Sequence, residues 1–299
     1  MFHYFHDGLK HKPSQGSISK EQFENILKKV GIENILTAKE WANRAENGTL
    51  KKNDVCLTFD DGLRCQYDVA LPVLQKFDLT AFWFVNSSTL VGEIGVLEIY
   101  RRFRNEYFSS MDEFYKEFFS TATASSYADA VSKGLAEFPD NYLSEFKFYT
   151  GNDRKFRYLR DKVLGPERYR EIMDDLIQSK GLIIKDLAEG LWLDEDNLLS
   201  LKGEGHIIGI HSHSHPTSLA DLSYEEQKTE YENNLQVLSK ILNEKPFTMA
   251  HPCNSYSDQT LNILNKMGVR IGFCSNMEKT DYSLLEMPRK DCALFCSEK

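Results

Sequence analysis

Two short stretches of the sequence place acid–base and metal-binding residue types close together. The first is residues 55–62, an apolar run that ends in Asp60, Asp61 and Gly62. The run is typical of a buried strand and the Asp-Asp-Gly of the turn after it, so two carboxylates fall at a strand's carboxyl end. In α/β folds that end faces the functional crevice. A purely structural turn is the alternative, since turns prefer Asp and Gly.

The second stretch is residues 207–216, where an apolar strand-like run precedes His211, His213 and His215. Neutral imidazole is the commonest protein ligand for transition metals. A single histidine is more often structural, whereas a His-x-x-x-His pair with an acidic residue from another strand end is far more specific. Two imidazoles and one carboxylate leave coordination positions open, as catalytic metal sites do. Zn²⁺ is the default for such ligands, and Co²⁺, Ni²⁺ and Fe²⁺ suit them too.

The two stretches together resemble the first two motifs of the polysaccharide deacetylase family, the NodB-homology domain of carbohydrate esterase family four. The matching segments are Thr58-Phe59-Asp60-Asp61-Gly62 and His211-Ser212-x-Ser214-His215. The resemblance covers roughly residues 1–90 and 200–295. It implies an α/β fold, a distorted (β/α) barrel of the NodB-homology type, with Asp60 as catalytic base and a divalent metal held by Asp61, His211 and His215.

The residue types are consistent with this division of roles. Two adjacent carboxylates repel each other unless something separates them. A cation bound by Asp61 would do so and leave Asp60 to act as general base, with the metal polarising the acyl oxygen. His213 would share a side with His211 and His215 in an extended segment but not in a helical turn. The family pattern favours the turn, so we place His213 near the metal but not among its ligands.

Residues 247–253 resemble the family's third motif, in which the residue after a proline gives a backbone N–H to the oxyanion. In this chain that residue is Cys253. The family often has an arginine two positions before the proline, where this chain has Ala250. An arginine that orients the base is therefore missing from its usual place. We predict that Arg289, in the segment Pro288-Arg289-Lys290-Asp291, supplies it.

The family's late Leu-x-His motif is absent, because no histidine follows His251. Relatives in which this motif has moved to the amino terminus carry an aromatic-His pair there, and Phe2-His3 resembles that pair. We therefore predict His3 as the general acid and His6 as the second candidate. The alternative for either histidine is an ordinary polar residue near a chain end.

Strand and helix patterns alternate at both ends of the chain, which indicates βαβ units, a parallel sheet and a barrel. At the amino-terminal end, a capping box at residues 19–22 marks the start of the first predicted helix. The helix predicted over 69–77 includes Pro72. Predicted helices are 19–30, 38–45, 69–77, 224–242 and 259–267. Predicted strands are 55–60, 80–85, 207–210, 247–250 and 269–274.

The middle of the chain shows helical periods rich in Phe and Tyr and lacks long β-prone runs. Predicted helices there are 111–119, 127–138, 156–163 and 167–179. We assign residues 1–90 and 200–299 to the barrel and 91–199 to a helical insertion or cap. The aromatics are most simply the core of this insertion, and a ligand platform is the alternative.

Composition limits the partners and the location. The net charge of −9 and the pI near 5.5 argue against nucleic acid and anionic lipid as partners. The sequence has neither a signal-peptide pattern nor an apolar run of membrane-spanning length, so we predict a cytoplasmic protein. The six cysteines form no Cys-x-x-Cys pair, which favours thiols over a disulfide framework. The sequence does not indicate an oligomeric state.

The sequence therefore predicts a metal-dependent carbohydrate deacetylase that hydrolyses the acetamide group of an amino sugar. We expect an intracellular precursor for surface polysaccharide as substrate. One alternative is an amidohydrolase of the same fold that acts on a non-sugar cyclic amide, although such proteins usually depart from the Asp-Asp motif. The other is a non-catalytic carbohydrate-binding barrel, although such barrels tend to lose the base.

Overall fold

The computed structural model describes residues 1–144, 149–275, 277 and 281–296. The side chain of Cys296, one of the predicted thiols, lies outside the described part. The chain divides into two compact units, the first comprising Met1–Ile94 and Gly190–Lys299 and the second Gly95–Glu189. Residues 190–199, which the sequence assigns to the insertion, are thus in the first unit. The predicted role of the insertion as a cap stays a prediction.

The first unit is built on a curled parallel sheet of six strands, each paired with the next in chain order. Parallel neighbours need crossover connections, and helices supply most of them. A separate parallel pair consists of β1 (Phe5–His6) and β2 (Ile18–Ser19). The main sheet consists of β3 (Thr58–Phe59), β4 (Phe82–Val85), β5 (Ile207–Ile210), β6 (Thr248–Ala250), β7 (Ile271–Cys274) and β8 (Met287–Pro288).

The first two residues run between the two edges of this curled sheet. On one side, the N–H of Phe2 donates to the carbonyl of Thr58 in β3 at 2.9 Å. On the other side, the amino group of Met1 donates at 2.7 Å to the carbonyl of Lys290, just after β8. The amino-terminal segment therefore joins the edges, which places the residues that follow it at the end of β3.

Thirteen α-helices lie in the described part of the chain, and α4 to α9 belong to the second unit. The helix α1 begins with the predicted capping box, because Ser19 Oγ accepts from the N–H of Gln22 while Gln22 Oε1 accepts from the N–H of Ser19. The helices are α1 (Lys20–Val30), α2 (Ala38–Glu46), α3 (Leu71–Lys76), α4 (Val96–Glu106), α5 (Met111–Ala124), α6 (Ala128–Ala136), α7 (Gly151–Tyr158), α8 (Gly165–Ser179), α9 (Ile184–Ala188), α10 (Glu195–Gly203), α11 (Tyr224–Leu242), α12 (Asp258–Lys266) and α13 (Ala293–Cys296).

Alternation along the strands separates an inner core from an outer core under the helices. Phe82 and Phe84 of β4 point inward, where their rings lie 5.2 and 5.3 Å from that of Phe273 on β7. Trp83 points outward and stacks on Phe59 at 4.5 Å. Side chains alternate along a strand, so Asn86, two residues after Phe84, continues the inward-pointing row at the carboxyl end of the sheet.

Gly209 lets the inner core close. A Cβ on this residue would lie 2.6 Å from the ring of Phe84 and 2.6 Å from Oγ1 of Thr248. Real Cβ atoms do not approach so closely, so only glycine fits this position of β5 without a shift of its neighbours.

The described residues of the second unit form α4 to α9 and a π-helical turn, Leu159–Leu164. Its aromatic side chains pack edge to face, as Phe118 and Phe156 do with ring centroids 4.8 Å apart. Such pairs add to the stabilisation that burial gives. The aromatics therefore form the core of this unit, and its fully buried phenylalanines include Phe103, Phe114, Phe118 and Phe156.

Candidate metal centre and active site

Polar side chains gather at the carboxyl end of the main sheet. Asp60 and Asp61 follow β3, Asn86 follows β4, His211 follows β5 and Arg289 follows β8. Because the carboxyl ends of parallel strands share one edge, these side chains meet although they are far apart in sequence. All five residues are buried.

Asp61, His211 and His215 converge on one point. Asp61 Oδ1 lies 3.3 Å from His211 Nε2 and 3.2 Å from His215 Nε2, and the three ligand atoms lie within 4.8 Å of one another. Among the described residues, no hydrogen bond of ordinary geometry reaches this buried oxygen. Tetrahedral Zn²⁺ ligands at about 2.0–2.2 Å from the metal lie roughly 3.3 Å apart. The donor set and its spacing therefore fit a small divalent cation.

Electrostatics keep the carboxyl group of Asp61 charged. Burial alone would raise its pKa, but the adjacent imidazoles of His211 and His215 hold this pKa well below its usual range. A charged oxygen and two imidazole nitrogens are the donors that Zn²⁺ and similar ions prefer.

The orientation of His211 is fixed by its neighbours. Its Nδ1 donates to the carbonyl of Ala250 at 2.8 Å, which leaves the lone pair of Nε2 facing Asp61. Hydrogen bonds of this kind fix the tautomer of metal-binding histidines. The backbone N–H of His211 donates to Asn234 Oδ1 at 2.8 Å, and Asn234 Nδ2 donates to the carbonyl of Val85 at 3.0 Å. The fully buried Asn234 thus ties α11 to the ends of β4 and β5.

Glu230, one turn before Asn234 on α11, holds the loop that carries the histidines. Its carboxylate accepts from the backbone N–H groups of His213 and Ser214 at 2.9 and 2.8 Å. Ser212 and His215 have φ of 61° and 56°, a conformation that side chains other than glycine rarely adopt. The contacts to Glu230 stabilise this tight loop, which turns His215 back toward Asp61.

Arg289 binds the first aspartate of the pair. Its Nη1 and Nη2 donate to the two carboxylate oxygens of Asp60 at 2.7 and 2.8 Å, and its Nη1 also donates to Thr58 Oγ1 at 3.2 Å. Burial would raise the pKa of Asp60, but the charge and hydrogen bonds of Arg289, together with the nearby His211 and His3, outweigh it and lower the pKa to about 2. Asp60 is therefore ionised across the physiological range. The guanidinium also lies over the rings of Phe84 and Phe273, at 5.8 and 5.9 Å.

His3 lies beside the same carboxylate. Its Nε2 is 3.7 Å from Asp60 Oδ2, and its side chain is 26% exposed. Gln66 Nε2 donates to the backbone carbonyls of both His3 and Asp60, at 2.8 and 2.6 Å, so one buried amide links the two segments. His6 is placed elsewhere, because its Nδ1 bonds Ser17 Oγ at 2.8 Å next to the β1–β2 pair.

A protein-family model described as "Polysaccharide deacetylase" matches residues 47–108 and 174–272, together more than half of the chain. The chain belongs to the polysaccharide deacetylase family. The match includes Asp60, Asp61, His211 and His215 of this deacetylase. His3 and Arg289 lie outside it, and the roles predicted for them from the sequence stay predictions.

Solved structures of deacetylases share the fold. The Streptococcus pyogenes deacetylase PplD has 18% identity and a TM-score of 0.57, covering 97% of this chain and 88% of its own. A de-N-acetylase from Aggregatibacter actinomycetemcomitans has 14% identity and a TM-score of 0.55, and the match covers 97% of this chain and 92% of its own. IcaB from Ammonifex degensii has 15% identity and a TM-score of 0.54, and the match covers 96% of this chain and 88% of its own. These likenesses confirm the predicted NodB-type (β/α) barrel.

No curated protein sequence matches the chain. In the described part of the deacetylase, every helix is too short or too polar to cross a lipid bilayer.

Two predicted site residues of the deacetylase lie outside the Asp61 group. His213 Nδ1 bonds Ser87 Oγ at 2.9 Å, and its Nε2 lies 3.4 Å from the carboxylate of Glu93. Cys253 is exposed in the turn after Pro252 and has φ of 50°. This turn follows β6, whose last residue carries the carbonyl that His211 contacts. The roles predicted for His213 and Cys253 stay predictions.

Four residues that support the deacetylase site were not predicted from the sequence. Asn86 is 6% exposed, and its Oδ1 has no hydrogen-bond partner in the described part of the chain. Its position directly after the predicted strand 80–85 was an available signal. Glu230 and Asn234 stand four apart on the predicted helix 224–242, which puts them on one face. Gln66 carries no local signal.

Proposed function

We propose that the chain is a metal-dependent deacetylase that hydrolyses the acetamide group of an amino sugar. The observation that supports this proposal is a group of three potential metal ligands next to a separately held, ionised carboxylate. Asp61, His211 and His215 supply the three potential ligands, and Asp60, paired with Arg289, supplies the carboxylate.

The metal ligands in this proposal are Asp61 Oδ1, His211 Nε2 and His215 Nε2. A divalent cation bound there would polarise the acyl oxygen and acidify the attacking water. Three protein ligands leave room for substrate, as in catalytic rather than structural zinc sites. We propose Zn²⁺, and Co²⁺, Ni²⁺ or Fe²⁺ suit the same ligands.

Asp60 is the proposed general base. Its pKa of about 2 keeps it ionised, and the paired contacts to Arg289 fix the plane of its carboxylate. A carboxylate with so low a pKa is a weak base, so it removes a proton efficiently only from an acidified water. This requirement explains why the base stands directly beside Asp61 in the chain.

His3 is the proposed general acid. Its Nε2 lies beside Asp60 and its side chain is partly exposed, so it can face both the reacting centre and a bound sugar. The water oxygen bonds to the acyl carbon, the carbon–nitrogen bond breaks, and His3 gives its proton to the leaving nitrogen. Asp60 takes the proton of the water, and the products are acetate and an amine. The backbone N–H of Cys253 is the proposed donor to the oxyanion.

The substrate that we propose is an N-acetylated amino sugar in a nucleotide- or lipid-linked precursor, processed in the cytoplasm. The description of the Aggregatibacter protein as a de-N-acetylase supports an amide rather than an ester. The sequence, rather than the site, supports this precursor and compartment.

The test combines elemental analysis of the purified chain with acetate release from N-acetylated monosaccharides, nucleotide sugars and oligosaccharides. His211→Ala should lose the metal and the activity together, because it removes a ligand. Asp60→Asn should keep the metal and lose about 10²–10⁴-fold in rate, as expected for a base. His11→Ala is the matched control, since His11 pairs with Asp68 away from the group.

Two results would contradict the proposal. One is a metal-loaded wild-type chain that releases no acetate from any of these substrates, and the other is an Asp60→Asn variant with wild-type turnover. Hydrolysis of a cyclic amide, or carbohydrate binding without turnover, would instead favour the two alternatives stated from the sequence.

A further inference from the structure

The second unit contains three arginines near Tyr169, which we call the arginine cluster. Arg104 of α4 lies over Phe156 with its Cζ 5.4 Å from the ring centroid. Arg160 approaches the same ring at 5.9 Å. Arg157 follows Phe156 directly in α7 and lies over Tyr149 at 4.1 Å. Three cations thus lie in one small region of a chain that is acidic as a whole.

Only Arg160 in the cluster has a carboxylate partner in the described part of the chain. Its Nε and Nη2 donate to the neighbouring Asp161 at 2.6 and 3.0 Å. The Nε atoms of Arg104 and Arg157 are buried and have no acceptor among the described residues. Burial lowers the pKa of Arg104, and nearby tyrosines rather than carboxylates oppose this effect. The two guanidinium groups therefore carry charge that the described protein does not neutralise.

One carboxylate in this region is already engaged. Asp153 accepts a hydrogen bond from the hydroxyl of Tyr115 and others from the side chain and backbone of Thr150, at 3.2 Å each. Leaving a buried guanidinium N–H without an acceptor is unfavourable. The charge of the two side chains also lacks a partner in the described part of the chain, and an external anion would balance it. The buried Nε atoms are out of a solute's reach, but Arg104 and Arg157 are both partly exposed, so a small anion can approach the exposed part of each side chain.

We propose that the arginine cluster binds a phosphate group through Arg104 and Arg157. The planar guanidinium matches tetrahedral oxyanions with paired N–H donors, and such charge-assisted bonds are the strong ones. The site lies wholly within the second unit and uses none of the residues of the candidate active site. The proposal is therefore independent of the proposed deacetylation.

The test is calorimetric titration of the full chain with inorganic pyrophosphate and inorganic phosphate, at constant ionic strength set by chloride. Wild type should bind pyrophosphate, and Arg104→Gln or Arg157→Gln should each weaken binding by about tenfold or more. The double variant should not bind measurably. Arg170→Gln is the matched control, because Arg170 is 58% exposed and lies 3.7 Å from Asp174 in a surface pair.

Arg104→Lys guards against loss of folding, since it keeps the charge over Phe156 and removes the paired donors. It should fold like wild type and bind pyrophosphate less tightly. The proposal is overturned if wild type shows no binding beyond the chloride reference, or if the folded double variant binds as wild type does. Either result would leave the cluster with a purely structural role, stacking on aromatic rings.

Two further arms identify the source of the phosphate. A sugar 1-phosphate in solution tests for a soluble ester, and vesicles containing phosphatidic acid test for a lipid headgroup. Binding in either arm that the double variant loses supports the proposal, and binding in neither contradicts it. Asp61→Asn should bind pyrophosphate as wild type does, so failure of the proposed catalysis and failure of this site can be told apart.

Discussion

Replacing Arg289 by methionine should raise the pKa of Asp60 and destabilise the barrel at neutral pH. Methionine has a similar length and can pack over Phe84 and Phe273, but it donates no hydrogen bond. Both charged side chains are buried, with 5% and 3% of their surfaces exposed. The substitution therefore leaves a buried carboxylate without its counter-ion.

The magnitude follows from the pKa of Asp60. A fall from 3.8 to about 2 corresponds to about 2.5 kcal/mol of stability at neutral pH. Without Arg289, burial would raise the pKa above 3.8, so the total loss should reach about 3–5 kcal/mol. Because the folded-state pKa is depressed, this stabilisation is complete above about pH 4 and disappears as the pH falls toward 2.

The assay is urea unfolding of wild type and Arg289→Met at pH 7, 4 and 3. The difference in unfolding free energy should be largest at pH 7 and should shrink as the pH falls from 4. Arg289→Lys, which keeps the charge and loses the paired geometry, should fall between them. In activity measurements the acidic limb of the pH–rate profile should move to higher pH in Arg289→Met. A free-energy difference that is the same at pH 3 and pH 7 would refute the reasoning.

Three further predictions concern the scaffold. Gly209→Ala should lower the free energy of unfolding in urea by about 1–3 kcal/mol, because its Cβ would overlap the packed interior. Gly203→Ala is the control and should lower it far less, because the space around Gly203 is open. Equal losses in the two variants would be inconsistent with the close approach at Gly209. Burial lowers the pKa of His206 from 6.5 to about 4, so wild type should lose up to about 3 kcal/mol of stability between pH 7 and pH 4. His206→Asn should flatten that dependence, and an unchanged slope would exclude His206 as its source. Asn234→Leu leaves two backbone groups unpaired and should weaken metal affinity by about tenfold or more in a chelator competition; unchanged affinity would mean that its contacts do not position the ligands.

Elements with a strong local pattern were predicted well. The helix predicted over 224–242 has the bounds of α11, Tyr224–Leu242, because its apolar period is regular and Ser223 caps it. The strand β8 was not predicted, since two residues that include a proline carry no β pattern and pair only through contacts with β7. The helix predicted over 69–77 begins as a π-helical turn, Gln66–Ala70, which puts Gln66 beside His3.

In the candidate site, too, residues in local motifs were predicted and most of the long-range supporting contacts were not. Local motifs and the rule for parallel sheets suffice to bring Asp61 and His211 together, as the structure does. The supporting contacts span far longer separations, 229 residues for Asp60 and Arg289 and 149 for Asn234 and Val85. Such pairs follow from the way the curled sheet brings distant segments together, and they leave no trace in a short window of sequence. Arg289 was predicted only because an arginine was missing elsewhere.

The contacts by which the first two residues join the sheet edges affect how activity is gained during folding. The contact between Met1 and Lys290 joins positions 289 apart, so loop-closure entropy opposes it more than most contacts. Asp61, His211 and His215 make none of the contacts of Met1 and Phe2 with the sheet edges, whereas His3 is the next residue in the chain. A chain that has opened only there would keep the proposed metal ligands together but would lose the proposed proton donor. Recovery of turnover after refolding should therefore lag behind recovery of metal affinity.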